Sequence, residues 1–212
     1  MRGFIGLAII GAFLFFIFSG SDEKAKLELS EGDLKVTKLD LERVLDLTVP
    51  VILDNAKRSQ QMNASTEVEK DKLFGMIFLK TALDLTKTYN DATPKIYEDN
   101  LGVYPAQSGS LVAYEDLNKN SQKDETEQNI FFIDIDGENS RIIAESRIGA
   151  SSNASFPAGS LLAGYFIGRM LTMQSGVPGL KQSLSNKQAV TPQKAISNAR
   201  ARAGSGSHRM GK

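Results

Sequence analysis

Apolar residues fall into four kinds of run along this chain, and each run predicts a different element. The first is unbroken. From Phe4 to Phe18 there are fifteen consecutive apolar residues behind a single positive charge at Arg2, followed by Ser19-Gly20-Ser21 and then Asp22-Glu23. A helix apolar on every face at the start of a chain has little to bury itself in except a bilayer. Its length suits a signal-peptide core, and Ser19-Gly20-Ser21 offers small residues to a peptidase. The aromatic run up to Phe18 opposes cleavage, however, and Met1 to Ser19 is just long enough to span. Residues 1–21 therefore read as an uncleaved membrane anchor, a transmembrane helix with Arg2 on the cytoplasmic side and Asp22-Glu23 outside.

The second kind recurs at helical spacing. Residues 22–35 are charged and mixed, with a turn expected at Glu31-Gly32-Asp33. Asp40 is placed to cap a helix whose apolar positions are Leu41, Val44, Leu45, Ile52, Leu53 and Ala56. Pro50 either kinks that helix or begins a new one, and the alternation Leu45-Asp46-Leu47-Thr48-Val49 leaves a strand open as an alternative. A cleaner helix starts at Ser65-Thr66-Glu67, with Val68, Phe74, Ile77, Phe78, Ala82 and Leu85 on one face, and stops at Asn90-Asp91 and Thr93-Pro94. Together they predict a helical hairpin covering one face of a sheet.

The third kind is strand-like: Leu111-Val112-Ala113-Tyr114, Ile130-Phe131-Phe132-Ile133 and Arg141-Ile142-Ile143-Ala144, with Asp136-Gly137 as a hairpin turn before the last. Asp134 and Asp136, two apart, share a strand face and read as solvated edge residues, with a second cation site as the sharper alternative. The fourth kind lies at 156–173, where Ser160, Gly164, Gly168 and Thr172 recur every four residues in apolar sequence. Such a stripe lets helix backbones approach closely and suits self-association in or at a membrane, although Arg169 speaks against a central membrane position. An amphipathic helix docked on the domain is the plainer alternative. Ser151-Ser152-Asn153-Ala154-Ser155 reads as a linker, and residues 175–212, rich in Gly, Ser, Lys, Arg and Gln, as a disordered basic tail.

One stretch carries chemistry. Asp116, Asn118, Asn120, Gln122, Asp124 and Glu127 stand at positions 1, 3, 5, 7, 9 and 12 of a twelve-residue run. Side-chain oxygens at 1, 3, 5 and 9, a backbone carbonyl at 7 and a carboxylate able to give both oxygens at 12 supply the six to eight ligands a hard dication needs. The run resembles the EF-hand calcium loop over these twelve residues. That resemblance implies calcium as the cofactor. Ser121 stands where the family has glycine, and Lys123 stands where paired loops have an aliphatic residue, so a tandem pair is not expected. The flanking strand formers predict strand–loop–strand geometry. The bland reading is a polar hairpin loop, because Asn and Asp tolerate turns.

Composition divides the chain. Residues 1–145 carry 16 Lys and Arg against all 25 Asp and Glu, a net of −9, while residues 146–212 carry nine basic residues and no acid. The basic tail suits anionic lipid or a cell-wall polymer. It lacks interleaved aromatics and dense basic runs, so specific nucleic-acid binding is not expected. There is no cysteine, and the single histidine is His208, close to the C-terminus. Thiolate zinc sites and cysteine nucleophiles are excluded, no phosphate loop or dinucleotide fingerprint occurs, and no catalytic apparatus is visible.

These readings combine into an α+β protein with four parts: an anchor at 1–21, an acidic extracytoplasmic domain at 22–150, a linker and small-residue helix at 151–174, and the tail at 175–212. The layout resembles that of bacterial membrane-anchored envelope proteins. The expected role is structural or interactive, in the periplasm or at the cell surface, without catalysis. Two alternatives follow. Arg2-Gly3-Phe4 resembles a prepilin cleavage junction, implying a pilin-like assembly subunit, although that family's glutamate is Ala8 here. A carboxylate-dependent envelope hydrolase would need a cleft gathering acids away from the loop.

Overall fold

In the computed structural model, residues 31–62, 64–156 and 164–204 are described, and those up to Ala199 belong to one compact unit. The expected anchor, Ser160 of the small-residue stripe and residues 205–212 lie outside the described residues. The architecture is α+β. Helices α1 (Glu31–Thr37), α2 (Leu41–Gln61) and α3 (Glu67–Asp91) precede five strands, β1 (Leu101–Pro105), β2 (Leu111–Glu115), β3 (Asn129–Asp136), β4 (Arg141–Ser146) and β5 (Ser151–Ser155). Helices α4 (Tyr165–Ser175), α5 (Leu180–Ser185) and α6 (Pro192–Gly204) follow. The strands form one antiparallel sheet in chain order, a meander. No helix among the described residues is long and apolar enough to cross a membrane.

The helical hairpin forms as its periodicity predicts. Asp40 caps α2 by accepting from the backbone N–H groups of Glu42 and Arg43. Thr66 and Glu69 make a reciprocal capping box at the start of α3. Pro50 neither breaks nor restarts α2, and no strand forms there. Pro50 lies on the exposed side, while Val44, Leu45, Thr48, Ile52, Asn55 and Ala56 bury the opposite face. Burial of that face outweighs the lost backbone bond. Val68 also departs from expectation. It is 66% exposed, and the buried stripe of α3 runs instead through Leu73, Phe74, Ile77, Phe78, Thr81, Ala82, Leu85 and Tyr89. The expected turn at Glu31-Gly32-Asp33 is the first turn of α1. Seven residues do not hold a helix in isolation; buried Val36 and the ion pairs Lys35–Asp99 and Lys38–Glu98, both 2.7 Å, fasten this one to the domain.

The sheet's core face carries Leu111, Ala113, Phe131, Ile133, Ile135, Ile142 and Ala144, all buried in one cluster with the hairpin. Tyr89 of α3 meets Phe131 edge-on at 5.4 Å, and its hydroxyl shares a hydrogen bond with Thr48 across the hairpin. Helix α4 docks beside α3 through Phe166, whose ring lies 5.8 Å from that of Phe74.

Three expectations are corrected. Residues 151–155 are not a linker but the fifth strand, paired along its length with β4 and closed on its far side by a bridge from Ser151 to Val190. Backbone pairing holds it, so its polar side chains gave no strand pattern. The 22–150 boundary therefore cuts through the sheet. Finally, residues 175–204 are not disordered. Arg141 donates to the carbonyls of Leu184, Ser185 and Lys187, Asn139 donates to Ser185, and Lys187 pairs with Glu145. Leu184 and Ala195 are buried. The order comes from donors and acids on β4, not from the tail's own composition.

Helix α4 settles the docked reading for its described part. Phe166, Ile167, Met170 and Gln174 are its buried residues, whereas Thr172 is exposed and Gly168 half-buried. Gly164 is the N-cap, close to Gln60. Of the described stripe residues, Gly164 is buried against α2, while Gly168 and Thr172 lie off the face that packs on the domain.

Candidate metal centre

The loop between β2 and β3 is anchored at both ends. The register shifts at Ala113/Tyr114, leaving Ile130 as an extra residue whose carbonyl accepts from Arg147 N–H at 2.9 Å. Beyond the ladder, Glu115 N–H donates to Gln128 and Asp116 N–H to Asn100. These bonds fix the base of the loop against β1 and place Asp116 at its entrance.

Within the loop, side-chain oxygens gather backbone donors in an overlapping series. Asp116 Oδ1 and Oδ2 accept from the N–H groups of Asn120 and Ser121, each at 3.0 Å. Asn118 Oδ1 accepts from Asn120 N–H at 3.0 Å, and Asn120 Oδ1 from Gln122 N–H at 2.7 Å. Such side-chain turns coil the chain around Asp116. Lys119 and Ser121 have φ of 59° and 57°. Ser121 thus adopts the left-handed conformation that position 6 demands, at a cost of about 1 kcal/mol relative to glycine. Glu127 closes the other side: its Oε1 accepts from Leu117 N–H at 2.9 Å and its Oε2 from Asp124 N–H at 3.0 Å. Asp124 is reached by the amides of Asn118 at 2.6 Å and Asn120 at 3.4 Å.

The structure therefore brings Asp116, Asn118, Asn120 and Asp124 into one hydrogen-bonded group, with Glu127 tied to both ends of it. Gln122 joins through its backbone. Asp116 and Glu127 are only 4% and 3% exposed, yet neither they nor Asp124 form an ion pair among the described residues. Lys123 lies alongside but donates to the carbonyls of Asp124 and Glu127. The concentrated negative charge reaches the neighbouring strand. Burial, reinforced by Asp116, Glu127 and Asp124, pushes the Tyr114 phenol up to about 12. No three Asp, Glu, His or Cys side chains among the described residues stand close enough to hold a metal by themselves. Any cation shell here would have to draw on the two asparagine oxygens and on backbone carbonyls, and would require Asp116, Asp124 and Glu127 to exchange present N–H partners for the ion.

Asp134 and Asp136 do not share a site. Both are buried rather than solvated. Asp134 accepts from Ser110 Oγ at 2.5 Å. Asp136 pairs with Arg141 at 2.8 Å and accepts from Asn139 at 2.7 Å. Burial opposes ionisation of Asp136, but those two partners hold its carboxyl below the usual range. A cleft of about 280 Å³ opens beside them, between the β3–β4 turn and α4–α5, lined by Ile135, Gly137, Leu171, Gln174 and Leu184. Its acids are committed elsewhere, Asp136 to Arg141 and Glu138 to Lys181 at 3.0 Å. Comparison with protein-family models, with characterised proteins and with solved structures finds no match for this chain.

Proposed function

We propose that this protein is a membrane-anchored, extracytoplasmic domain that holds one structural calcium ion in the Asp116–Glu127 loop and serves as a scaffold or interaction module rather than a catalyst. One observation carries the reading: two carboxylates lie buried in a single loop, each accepting from backbone N–H groups and neither with a basic partner among the described residues. Buried anions are costly unless paired. A hard dication bound by Asp116, Asn118, Asn120, Asp124 and Glu127, with the Gln122 carbonyl, offsets that cost and suits oxygen ligands of this number and kind. Binding would cross-brace β2 and β3 and so add to folding stability. With serine at position 6, affinity is expected in the extracellular range, about 10⁻⁴ to 10⁻³ M.

The test is a calorimetric calcium titration on the full chain in detergent, with Asp116→Ala and Glu127→Gln as controls. Saturable one-site heat, lost in both variants, and a rise in melting temperature are the expected result. Absence of heat and of any thermal shift at millimolar calcium would reduce the loop to a polar turn. Attachment through residues 1–21 is tested separately, by whether the protein stays in the membrane fraction after alkaline carbonate washing. Release into the soluble fraction would remove the anchor from this reading.

A further inference from the structure

Helix α1 is the first described element after the expected anchor, with only residues 22–30 between them. Among its described side chains only Val36 is buried, and it runs alongside no other helix or strand for any length. Its polar ties converge instead on the neck of the Asp116–Glu127 loop. On one side Lys35 donates to Asp99 at 2.7 Å and lies 3.9 Å from Glu115. Asp99 precedes Asn100, whose carbonyl accepts from Asp116 N–H at 2.9 Å, and Glu115 precedes Asp116 itself. On the other side Asp33 pairs with Arg147 at 2.8 Å. The Arg147 guanidinium also donates to the side chain of Gln128, the residue after Glu127. Its Nε is buried and finds no hydrogen-bond partner among the described residues, so Asp33 and Gln128 hold the group in place. Glu115 and Gln128 close the neck on each other, N–H to carbonyl at 3.0 Å. Helix α1 thus grips both sides of the neck, one through Lys35 and the other through Arg147.

Building on the calcium site proposed above, we propose that an ion in the loop and the docking of α1 reinforce each other, so that the domain's hold on the segment leading to the anchor depends on calcium. A seven-residue helix has no stability of its own, so its order is set by the spacing of the groups it ties to. An ion shared by Asp116 and Glu127 fixes that spacing, because Asn100, Glu115 and Gln128 are bonded to or next to those two residues. Less freedom is then lost when α1 docks. The same free energy works in reverse: with α1 in place the neck is already ordered, and calcium binds more tightly. The ion's charge opposes Lys35. That ammonium, however, is paired with Asp99 and Glu115, which lie outside the ligand set and keep their charge when the ion binds. Bracing of the neck therefore decides the sign.

The test is hydrogen exchange read by mass spectrometry on the full chain in detergent, with and without millimolar calcium, beside the calorimetric titration. Calcium should slow exchange across residues 31–38 by about fivefold or more and leave α2 unchanged. Asp33→Asn combined with Lys35→Met unties α1 without touching a loop ligand, and by reciprocity should weaken calcium binding by about fivefold or more. Protection of α2 reports that this variant is folded; Lys35→Met alone, at a partly exposed side chain, is the milder form and should shift the affinity in the same direction. Lys38→Met loses only the exposed pair with Glu98 and should leave the affinity within about twofold. Calcium heat with unchanged exchange at residues 31–38, or unchanged affinity in both untied variants, would overturn the coupling and leave the metal site standing. Faster exchange of α1 on adding calcium would mean that repulsion of Lys35 wins, and would overturn it too. Absence of heat would remove the metal site and the coupling together.

Discussion

Asp134 is the residue at which the fold makes its most quantitative commitment. It sits on β3, 5% exposed, with Ser110 Oγ donating to it at 2.5 Å. The amide of Gln174, oriented to donate to Ile135 O at 2.7 Å and accept from Ile135 N at 3.2 Å, turns its oxygen rather than its nitrogen toward the carboxyl. An ionised Asp134 therefore faces an acceptor, whereas a protonated one can donate to it. Burial pushes its carboxyl up from 3.8 to about 6; Ser110 moderates the effect, Glu145 adds to it and Lys187 offsets part of it. Because the folded value lies above the unfolded one, the unfolded state releases its proton first as pH rises. Asp134's contribution to stability is then complete below about pH 4, declines through pH 6 and is flat above. The displacement corresponds to roughly 3 kcal/mol. Asp134→Asn removes the titration while keeping an oxygen for Ser110 and gaining an N–H for Gln174. Urea unfolding of the full chain in detergent between pH 4 and 7.5 should show that loss of stability in the parent and not in Asp134→Asn. The variant should be the more stable at pH 7. A variant that is less stable at pH 7, or that retains the parent's pH slope, would refute the reasoning.

Three further outcomes are expected. Gly102 lies beneath the ring of Tyr114, and a Cβ would fall 2.2 Å from its Cζ; Gly102→Ala should lower stability by about 1–3 kcal/mol by urea titration through overpacking. Arg141→Met strands the buried Asp136 carboxylate and frees the carbonyls of Leu184, Ser185 and Lys187. It should cost about 3–5 kcal/mol and raise hydrogen exchange across residues 180–204 more than across α2. Pro50→Ala restores a backbone donor on the exposed side of α2 and should raise the melting temperature, with a gain of about 1 kcal/mol or more; a decrease would mean that Pro50 has a packing role.

The sequence revealed elements whose side chains state their own environment. The two long helices declared themselves through apolar spacing and caps, and β2, β3 and β4 through runs of strand formers. The loop residues were legible because ligand spacing is local, and Ser121 takes the left-handed conformation its position implied. What escaped was set by distant partners. β1 was hidden because Gly102 serves the Tyr114 ring and Pro105 ends the strand. β5 escaped because a five-residue polar strand is held by backbone pairing to β4 and, at Ser151, by a bridge to Val190. The C-terminal helices escaped because Arg141 and Glu145, some forty residues earlier, order a segment whose composition alone suggests none. Asp134 and Asp136 looked like polar strand-tip residues; their burial depends on Ser110, Arg141 and the packing of α4 and α5, none of which is adjacent in sequence.

The meander has a consequence for how the protein comes into being. Each strand after β1 pairs with the one synthesised just before it, so the sheet can grow in step with the emerging chain. Its last edge is different. β5 is bridged at its first residue, Ser151, by Val190, thirty-five residues beyond the strand's end. A chain halted anywhere between the two presents a pairing-competent edge to its neighbours. The side chains on that edge are Ser, Asn and Ala rather than Val and Ile, the composition least able to recruit another strand while the final segment is still being made.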